Sequence, residues 1–168
     1  RVAQFFLRRS RGSARSLYLQ LLLAFPLLTF ILPSATTRTG ILVHVYEQAL
    51  DLASLMLTAA KFYRAQLRES THAIDYLKGR GLTGEIAARF GLGYSPDGWR
   101  TLAGVFPRYD DPLLEQAGLV IVQGDEGDEQ KRYDRFRDRV MFPIRSAQGD
   151  VIGFGGRVLD RGEPKYLN

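Results

Sequence analysis

The chain has 168 residues, of which 45% are hydrophobic and 24% are charged, and this composition is typical of a globular protein with a real core. It has no cysteine and two histidines, which excludes disulfides and any zinc site held by thiolates. The formal net charge of +5 suits a polyanionic partner, but residues 1–45 alone carry six arginines and no acidic residue.

The first 45 residues differ in character from the rest. Four arginines (Arg8, Arg9, Arg11 and Arg15) precede an apolar run at 17–32, as in a signal peptide. The run is short for a spanning helix, which needs about 20 apolar residues. Three interpretations remain open: an export signal or anchor, a buried or interfacial helix, or sequence that is not native to the protein. We expect no membrane association despite the 17–32 run.

Residues 46–118 are predicted to be helical. Apolar residues recur every three or four positions from Tyr46 to Leu67, which predicts one amphipathic helix over 46–68. Thr71 and Thr83 are candidate caps of two short helices. Glycines end these two helices, and two further helices are predicted at 98–105 and 111–118.

The pattern becomes extended after residue 118. Residues 119–122 form a predicted strand, and the acidic stretch 123–130 is interpreted as a solvated hairpin tip. Two runs rich in Val, Ile and Phe then flank a turn at 146–150, in which Gly149 can adopt positive φ, and this predicts a β-hairpin. Helices followed by strands indicate an α+β fold with a small, mainly antiparallel sheet. We expect one face of the sheet to be basic.

Three arginines support that expectation. Arg135, Arg137 and Arg139 are two residues apart, so an extended strand would place all three on one face. A guanidinium matches phosphate oxygens with a planar fork of donors. For Arg139, and likewise for Arg145, the alternative is ion pairing with Asp134, Asp138 or Asp150. The glycines at 153, 155 and 156 either admit a ligand close to the backbone or only mark bulges.

The hairpin also carries a specific resemblance. Arg-Phe-Arg-x-Arg-Val-Met-Phe-Pro-Ile from position 135, Val-Ile-Gly-Phe-Gly-Gly-Arg from 151 and Pro-Lys-Tyr-Leu-Asn from 164 resemble the N-terminal part of the catalytic core of bacterial-type DNA primase. Tyr-Leu-Lys-Gly-Arg-Gly-Leu from 76 and Ala-Arg-Phe-Gly-Leu-Gly-Tyr from 88 resemble the same family in the same order. The resemblance covers about residues 46–168, helical over 46–118 and β-rich over 119–168, and it excludes residues 1–45.

The resemblance implies roles for six residues. It places Arg135, Arg137 and, less directly, Arg80 against nucleic acid. It places Arg157, Lys165 and Tyr166 at the nucleotide, with Lys165 neutralising a triphosphate and Tyr166 stacking on a base or ribose. We interpret the aromatic side chains of Trp99, Phe90 and Tyr94 as core residues.

The resemblance also implies an enzyme, a primase that synthesises short RNA primers on single-stranded DNA in the cytoplasm. No carboxylate cluster for metal-assisted phosphoryl transfer occurs in residues 131–168, so we interpret the chain as an internal fragment, inactive alone, that binds no cofactor itself. The resemblance places Mg or Mn in a following acidic domain, zinc in a preceding zinc-ribbon domain and the replicative helicase on a C-terminal domain. The other partners it implies are single-stranded DNA and ribonucleoside triphosphates.

Two alternatives come from other functional classes. A basic module that binds single strands and catalyses nothing has the same local charge. A secreted or membrane-tethered binding domain would account for the first 45 residues.

Overall fold

The computed structural model describes Gln20 and residues 35–124, 130–160 and 162–168, without the side chains of residues 35–39. The apolar run at 17–32, apart from Gln20, and most of the acidic stretch 123–130 therefore lie outside the described residues. Within the part that is described, no helix combines the length and the hydropathy needed to cross a membrane.

The chain forms two compact units. The first contains the described residues up to Ser54 together with Arg145–Ile152, and the second contains Leu55–Ile144 and Gly153–Asn168. Every residue with a proposed role in binding lies in the second unit. Whether residues 1–45 and 46–168 are separate domains stays a prediction.

Helix α1 spans Ala35–Glu69 and thus begins well before the predicted start at 46. The apolar spacing continues upstream, because Val45 is buried with Ile41, Leu42 and Ala49 packed against it. The predicted start was wrong because the apolar spacing was followed only from Tyr46, whereas it continues upstream through Leu42 and Val45.

Two short helices follow. In α2 (Thr71–Gly79) the cap is Ser70, one residue before the predicted Thr71, and its hydroxyl accepts a hydrogen bond from the N–H of Ala73 at 3.2 Å. In α3 (Gly84–Phe90) the predicted cap Thr83 is confirmed, with its hydroxyl accepting from the N–H of Ile86 at 3.2 Å. Ser70 takes the cap because its backbone is still extended, whereas Thr71 is already helical.

The remainder of the helical half departs from the prediction in two places. Strand β1 (Gly93–Ser95) was not predicted, since three residues are too few to show an alternating pattern, and all three are buried. The expected helix at 98–105 is a single 3₁₀ turn, Thr101–Gly104. Helix α4 (Pro112–Gln116) starts at the cap Asp111 as expected.

Two antiparallel sheets complete the fold. Strands β2 (Val120–Gln123) and β3 (Lys131–Asp134) pair with each other. The larger sheet has the order β1, β4, β5, β6, where β4 is Arg139–Arg145, β5 is Val151–Val158 and β6 is Tyr166–Leu167. The predicted turn joins β4 to β5, and Gly149 has φ +92° there. The predicted α+β class, helices followed by an antiparallel sheet, is confirmed.

An apolar cluster holds α2 close to the sheet. Ala73 and Leu77 of α2 are buried in it together with Val140 of β4 and Leu159, the residue that follows β5. Burial of such side chains contributes about 1.5–3 kcal/mol each for the larger ones. The cluster therefore fixes which side of α2 can reach β5 and β6.

Candidate nucleic-acid interface

Four side chains form a ladder that runs from α2 to β6. The guanidinium of Arg80 lies 5.2 Å from the ring centroid of Tyr76, and Nε of Arg157 donates a hydrogen bond to the Tyr76 hydroxyl at 2.6 Å. The guanidinium of Arg157 also lies 4.8 Å from the ring centroid of Tyr166. We call these residues the arginine–tyrosine ladder. The structure thus brings together Arg80, Arg157 and Tyr166, three of the six predicted site residues.

Local structure explains each position in the ladder. Tyr76 and Arg80 are four residues apart at the end of α2, so they project from the same side of it. Arg157 and Tyr166 are register partners in the antiparallel pair of β5 and β6. Arg157 is half-buried and held on two sides, whereas the Tyr166 side chain is 62% exposed. The ladder therefore fixes a cation beside an accessible aromatic ring.

Lys165 directly precedes Tyr166 and is exposed. Its carbonyl accepts a hydrogen bond from the N–H of Val158 at 3.2 Å, which anchors the backbone next to the ladder. Its ammonium has no hydrogen-bond or ion-pair partner among the described residues. It is therefore available to an anion bound at the ladder.

A second cluster surrounds Trp99. The guanidinium of Arg137 lies 4.1 Å from the Trp99 ring centroid and 5.1 Å from that of Tyr133, and the two rings meet edge to face at 5.4 Å. Arg137 is further fixed by donating to the carbonyl of Asp134 at 2.8 Å. We call this cluster the Trp99 stack. A cation on an aromatic face at these distances contributes about 0.5–1 kcal/mol when exposed.

The prediction that Trp99, Phe90 and Tyr94 are core residues was right only for Tyr94. Trp99 is 65% exposed and Phe90 is 59% exposed, whereas Tyr94 is buried and its hydroxyl donates to Asp138 at 2.8 Å. Trp99 stays outside because it sits in the turn that follows β1. Arg137 covers one face of its ring there, where a core residue would meet apolar side chains.

The predicted row of three arginines on one strand face was wrong. Strand β3 ends at Asp134 and β4 begins at Arg139, so Arg135 and Arg137 lie in the connection between them. Asp138 has φ +47° in this connection, which breaks the alternation that the sequence spacing implied. Arg139 is turned inward and only 7% exposed. The three arginines therefore do not share one strand face, and a basic face of the sheet stays a prediction.

Arg139 and Arg145 do not form the expected ion pairs with aspartates. Their guanidinium groups donate instead to backbone carbonyls, Arg139 to Gly156 at 3.4 Å and Arg145 to Gly149 at 2.8 Å. Burial lowers the pKa of Arg139, and the nearby charge of Arg137 lowers it further. Arg139 is therefore a structural cation that holds the start of β4 against β5.

Arg135 connects the β3–β4 connection to the end of the larger sheet. Its guanidinium donates to the carbonyl of Asn168 at 3.0 Å, and Asn168 lies two residues beyond Tyr166. Arg135 is half-buried. Arg135 is two residues before Arg137 of the Trp99 stack, and its partner Asn168 is two residues after Tyr166 of the ladder, so this contact lies close to both clusters along the chain.

A buried carboxylate holds the β3 end of this arrangement. Asp134 is 0% exposed and accepts hydrogen bonds from the hydroxyls of Thr101 (2.6 Å) and Tyr109 (2.7 Å) and from the N–H of Leu102 (3.0 Å). Burial raises the pKa of Tyr109, and its hydrogen bond to Asp134 raises it further. These three bonds fix the position of Asp134. Its carbonyl in turn holds the guanidinium of Arg137, which lies over Trp99.

Gly156 allows the sheet to pack closely under the ladder, whereas Gly155 does not serve that purpose. A Cβ at Gly156 would lie 2.7 Å from Cδ1 of Phe136 and 3.0 Å from Cδ of Arg139, and a Cβ at Gly155 would meet nothing within 4 Å. The two glycines therefore differ. The space beside Gly155 is open, whereas the missing side chain of Gly156 makes room for the Phe136 ring.

The described residues offer no site for a metal ion. No group of three or more His, Asp or Glu side chains comes together in residues 35–124, 130–160 and 162–168. The carboxylate of Asp134 is fully engaged by its three donors.

Comparison with known proteins identifies the family. The family model for the N-terminal domain of the DNA primase catalytic core matches residues 62–168. The chain belongs to this primase family. It is 47% identical to a DNA primase of Legionella pneumophila over 125 residues, and 53% identical to a DNA primase of Neisseria meningitidis over 109 residues.

The matched primases are longer than this chain. The Legionella match covers 73% of this chain and 21% of the relative, and the Neisseria match covers 65% and 18%. A DnaG primase catalytic domain, solved bound to single-stranded DNA, matches with a TM-score of 0.66 and 44% identity, covering 73% of this chain and 39% of that domain. The chain thus spans about a fifth of the length of these curated relatives.

Sequence reasoning missed three residues of the two clusters: Tyr76, Trp99 and Tyr133. Tyr76 could have been found, because it lies four residues before Arg80 and a helix places such pairs side by side. Trp99 and Tyr133 gave no such signal. The N–H of Asp134 donates to the carbonyl of Trp99 at 2.7 Å, which places Tyr133 beside Trp99, and Arg137 lies over both rings.

Proposed function

We propose that this chain supplies the template- and nucleotide-contacting surface of a DNA primase that synthesises short RNA primers on single-stranded DNA in the cytoplasm. Family membership supports the reaction class. The observation that carries the proposal is the arginine–tyrosine ladder, in which one hydrogen bond and two ring contacts join Arg80, Arg157 and Tyr166.

The ladder suits a ribonucleoside triphosphate. Arg157 uses Nε on Tyr76, which leaves its terminal N–H groups for phosphate oxygens in the fork geometry that guanidinium offers. Tyr166 presents an exposed ring for a base or ribose. The Lys165 ammonium adds a mobile charge to the triphosphate, where negative charge develops during phosphoryl transfer.

The Trp99 stack and Arg135 suit a single-stranded template. Single-strand binders combine cations that follow the phosphates with aromatic faces on which bases stack. Arg137 and Trp99 provide one of each at 4.1 Å, and Arg135 provides a second cation on the side toward β6. The related DnaG catalytic domain in complex with single-stranded DNA supports the assignment of this ligand.

The bond of Arg135 to Asn168 supports one continuous track past the two clusters. Arg135 contacts Asn168, two residues from Tyr166, and Tyr166 contacts Arg157. A template strand held by Arg135 and Arg137 would therefore pass close to a nucleotide held at the ladder. This is the arrangement that template-directed addition requires, because the incoming base must pair with the template base.

The proposal is tested by two titrations on the same variants. Fluorescence anisotropy measures the affinity for a labelled single-stranded oligonucleotide, and a fluorescent ATP analogue measures the affinity for nucleotide. We expect Arg157→Ala to weaken nucleotide binding about tenfold, as loss of a charge-assisted contact does. Arg108→Ala is the matched control, because the Arg108 side chain is 85% exposed and lies outside both clusters. Equal effects of the two substitutions would overturn the proposal.

A further inference from the structure

A pocket lies between the three helices α1, α2 and α3, and none of the roles above uses it. Its volume is about 230 Å³. Its apolar lining includes buried side chains (Leu67, Leu77 and Leu92) and partly exposed ones (Ile74, Leu82 and Ala87). We call it the three-helix pocket. An open apolar floor costs free energy in water, so it favours an occupant that covers it.

Three cations stand around the mouth of the pocket. Arg64 and Arg68 are four residues apart and lie on one side of α1, and Lys78 lies on α2. All three are exposed, and none makes an ion pair or hydrogen bond with a described residue. The mouth is therefore positively charged and its charge is unpaired.

The pocket is separate from the arginine–tyrosine ladder, although α2 contributes to both. Two residues along a helix correspond to a rotation of about 200°. Lys78 therefore projects from the side of α2 opposite to Tyr76, whereas Arg80 shares the Tyr76 side. A ligand in the pocket would contact the Lys78 side of α2. The opposite side, which carries Tyr76, would remain accessible.

The size of the pocket indicates a peptide side chain as occupant. Pockets for drug-sized ligands are about 300–1,000 Å³, and this pocket is smaller. Peptide helices dock on such surfaces by inserting apolar anchors that recur every three or four residues. Cations on both α1 and α2 would then face acidic residues that flank the anchors.

We propose that the three-helix pocket binds an acidic amphipathic helix of a partner protein, whose apolar side chains enter the pocket while its carboxylates pair with Arg64, Arg68 and Lys78. Charge complementarity gives the specificity of such a contact and increases its rate of formation. The site does not depend on the template and nucleotide roles proposed above.

The test uses the full chain and a defined probe. The probe is a short fluorescein-labelled helical peptide with leucines every three or four residues and glutamates beside them. We expect binding in low salt, and a loss of affinity of at least about fivefold in Arg64→Ala with Arg68→Ala, since exposed ion pairs contribute modestly. Ala88→Trp, at an exposed position that lines the pocket, should block binding by filling it.

Controls separate the possible outcomes. Lys61→Ala removes an exposed cation of α1 outside the pocket and should leave peptide binding unchanged. Arg157→Ala should lower nucleotide binding and leave peptide binding unchanged, so failure of the two proposals can be distinguished. Circular dichroism verifies that each variant is folded.

Four results would overturn the proposal. The first is equal binding of a peptide with lysine in place of glutamate, and the second is equal binding to the Arg64/Arg68 variant. The third is displacement of the peptide by single-stranded DNA, which would assign the three cations to the template track. The fourth is saturable binding of decanoate, abolished by Ala88→Trp, with no binding of the peptide, which would assign the pocket to a small amphipathic anion.

Discussion

Arg157 and Tyr76 are 81 positions apart in the chain, yet Nε of the arginine donates to the tyrosine hydroxyl at 2.6 Å. The bond joins β5 to α2. Because it holds Nε in place, it also fixes the orientation of the two terminal nitrogens of the guanidinium. A cation held in this way loses less conformational entropy when it binds phosphate. We therefore expect Tyr76 to influence nucleotide binding through the orientation of Arg157.

Tyr76→Phe tests this role. The ring that stacks under Arg80 remains and only the hydroxyl is lost, so the fold should be retained. Nucleotide affinity should fall by about 1 kcal/mol, the usual contribution of one hydrogen bond. Tyr133→Phe is the control, because it removes a hydroxyl in the other cluster. An unchanged nucleotide affinity in Tyr76→Phe would show that Arg157 does not need its partner.

Trp99→Ala should weaken the binding of single-stranded DNA by about 1–3 kcal/mol, the range for loss of one base-stacking aromatic. Because Trp99 is 65% exposed, the melting temperature should change little. Phe90→Ala removes another exposed aromatic, one that lies outside the Trp99 stack, and should leave DNA affinity unchanged. Equal losses in both variants, measured by anisotropy, would mean that Trp99 is no specific platform.

Asp134→Asn should destabilise the fold. The amide keeps one acceptor but brings an NH₂ group among donors from Thr101, Leu102 and Tyr109, so at least one buried donor loses its partner. We expect a loss of about 2–3 kcal/mol in the free energy of unfolding. Chemical denaturation followed by tryptophan fluorescence measures this loss. Trp99 is the single tryptophan, and its carbonyl accepts a hydrogen bond from the N–H of Asp134, so its fluorescence reports on this region. Asp150→Asn, at the exposed hairpin turn, is the control.

Gly156→Ala and Gly155→Ala form a matched pair of adjacent substitutions. The Cβ at 156 would clash with Phe136 and Arg139, so overpacking should cost about 1–3 kcal/mol of stability. The Cβ at 155 has open space and should cost little. Thermal unfolding of both variants measures the difference. If Gly155→Ala is the more destabilising of the two, the close packing of Phe136 and Arg139 against Gly156 is wrong.

Features set by short-range chemistry could be predicted from the sequence. Thr83 and Asp111 cap helices because a hydroxyl or carboxylate reaches the next free N–H groups of its own segment. Gly149 adopts positive φ because the turn between β4 and β5 requires it. The resemblance, and no local chemistry, supplied Arg80, Arg157 and Tyr166; the structure brings them together, and their roles in binding stay predictions.

Features set by contacts between distant segments could not be predicted. The alternation of Arg135, Arg137 and Arg139 fits a strand, but β3 ends where Asp134 meets its donors from residues 101–109. Trp99 fits a core, but Arg137 and Tyr133 reach it from more than 30 positions away. In both cases the deciding partner lies in a segment whose position the local sequence does not determine.

The central claim is that Arg135 and Arg137 hold the template while Lys165 and the ladder hold the nucleotide. The most direct test titrates a labelled single-stranded oligonucleotide at several salt concentrations into the unmodified chain, the Arg135→Ala/Arg137→Ala variant and Lys165→Ala. We predict that the double variant loses about 1–3 kcal/mol of affinity and that its salt slope falls by roughly the number of phosphate contacts removed. Lys165→Ala should bind the oligonucleotide nearly as well as the unmodified chain and bind the ATP analogue more weakly. Two results together would contradict this division of roles. Lys165→Ala would lose affinity for the template but keep its affinity for the nucleotide, and the double variant would keep the salt slope of the unmodified chain.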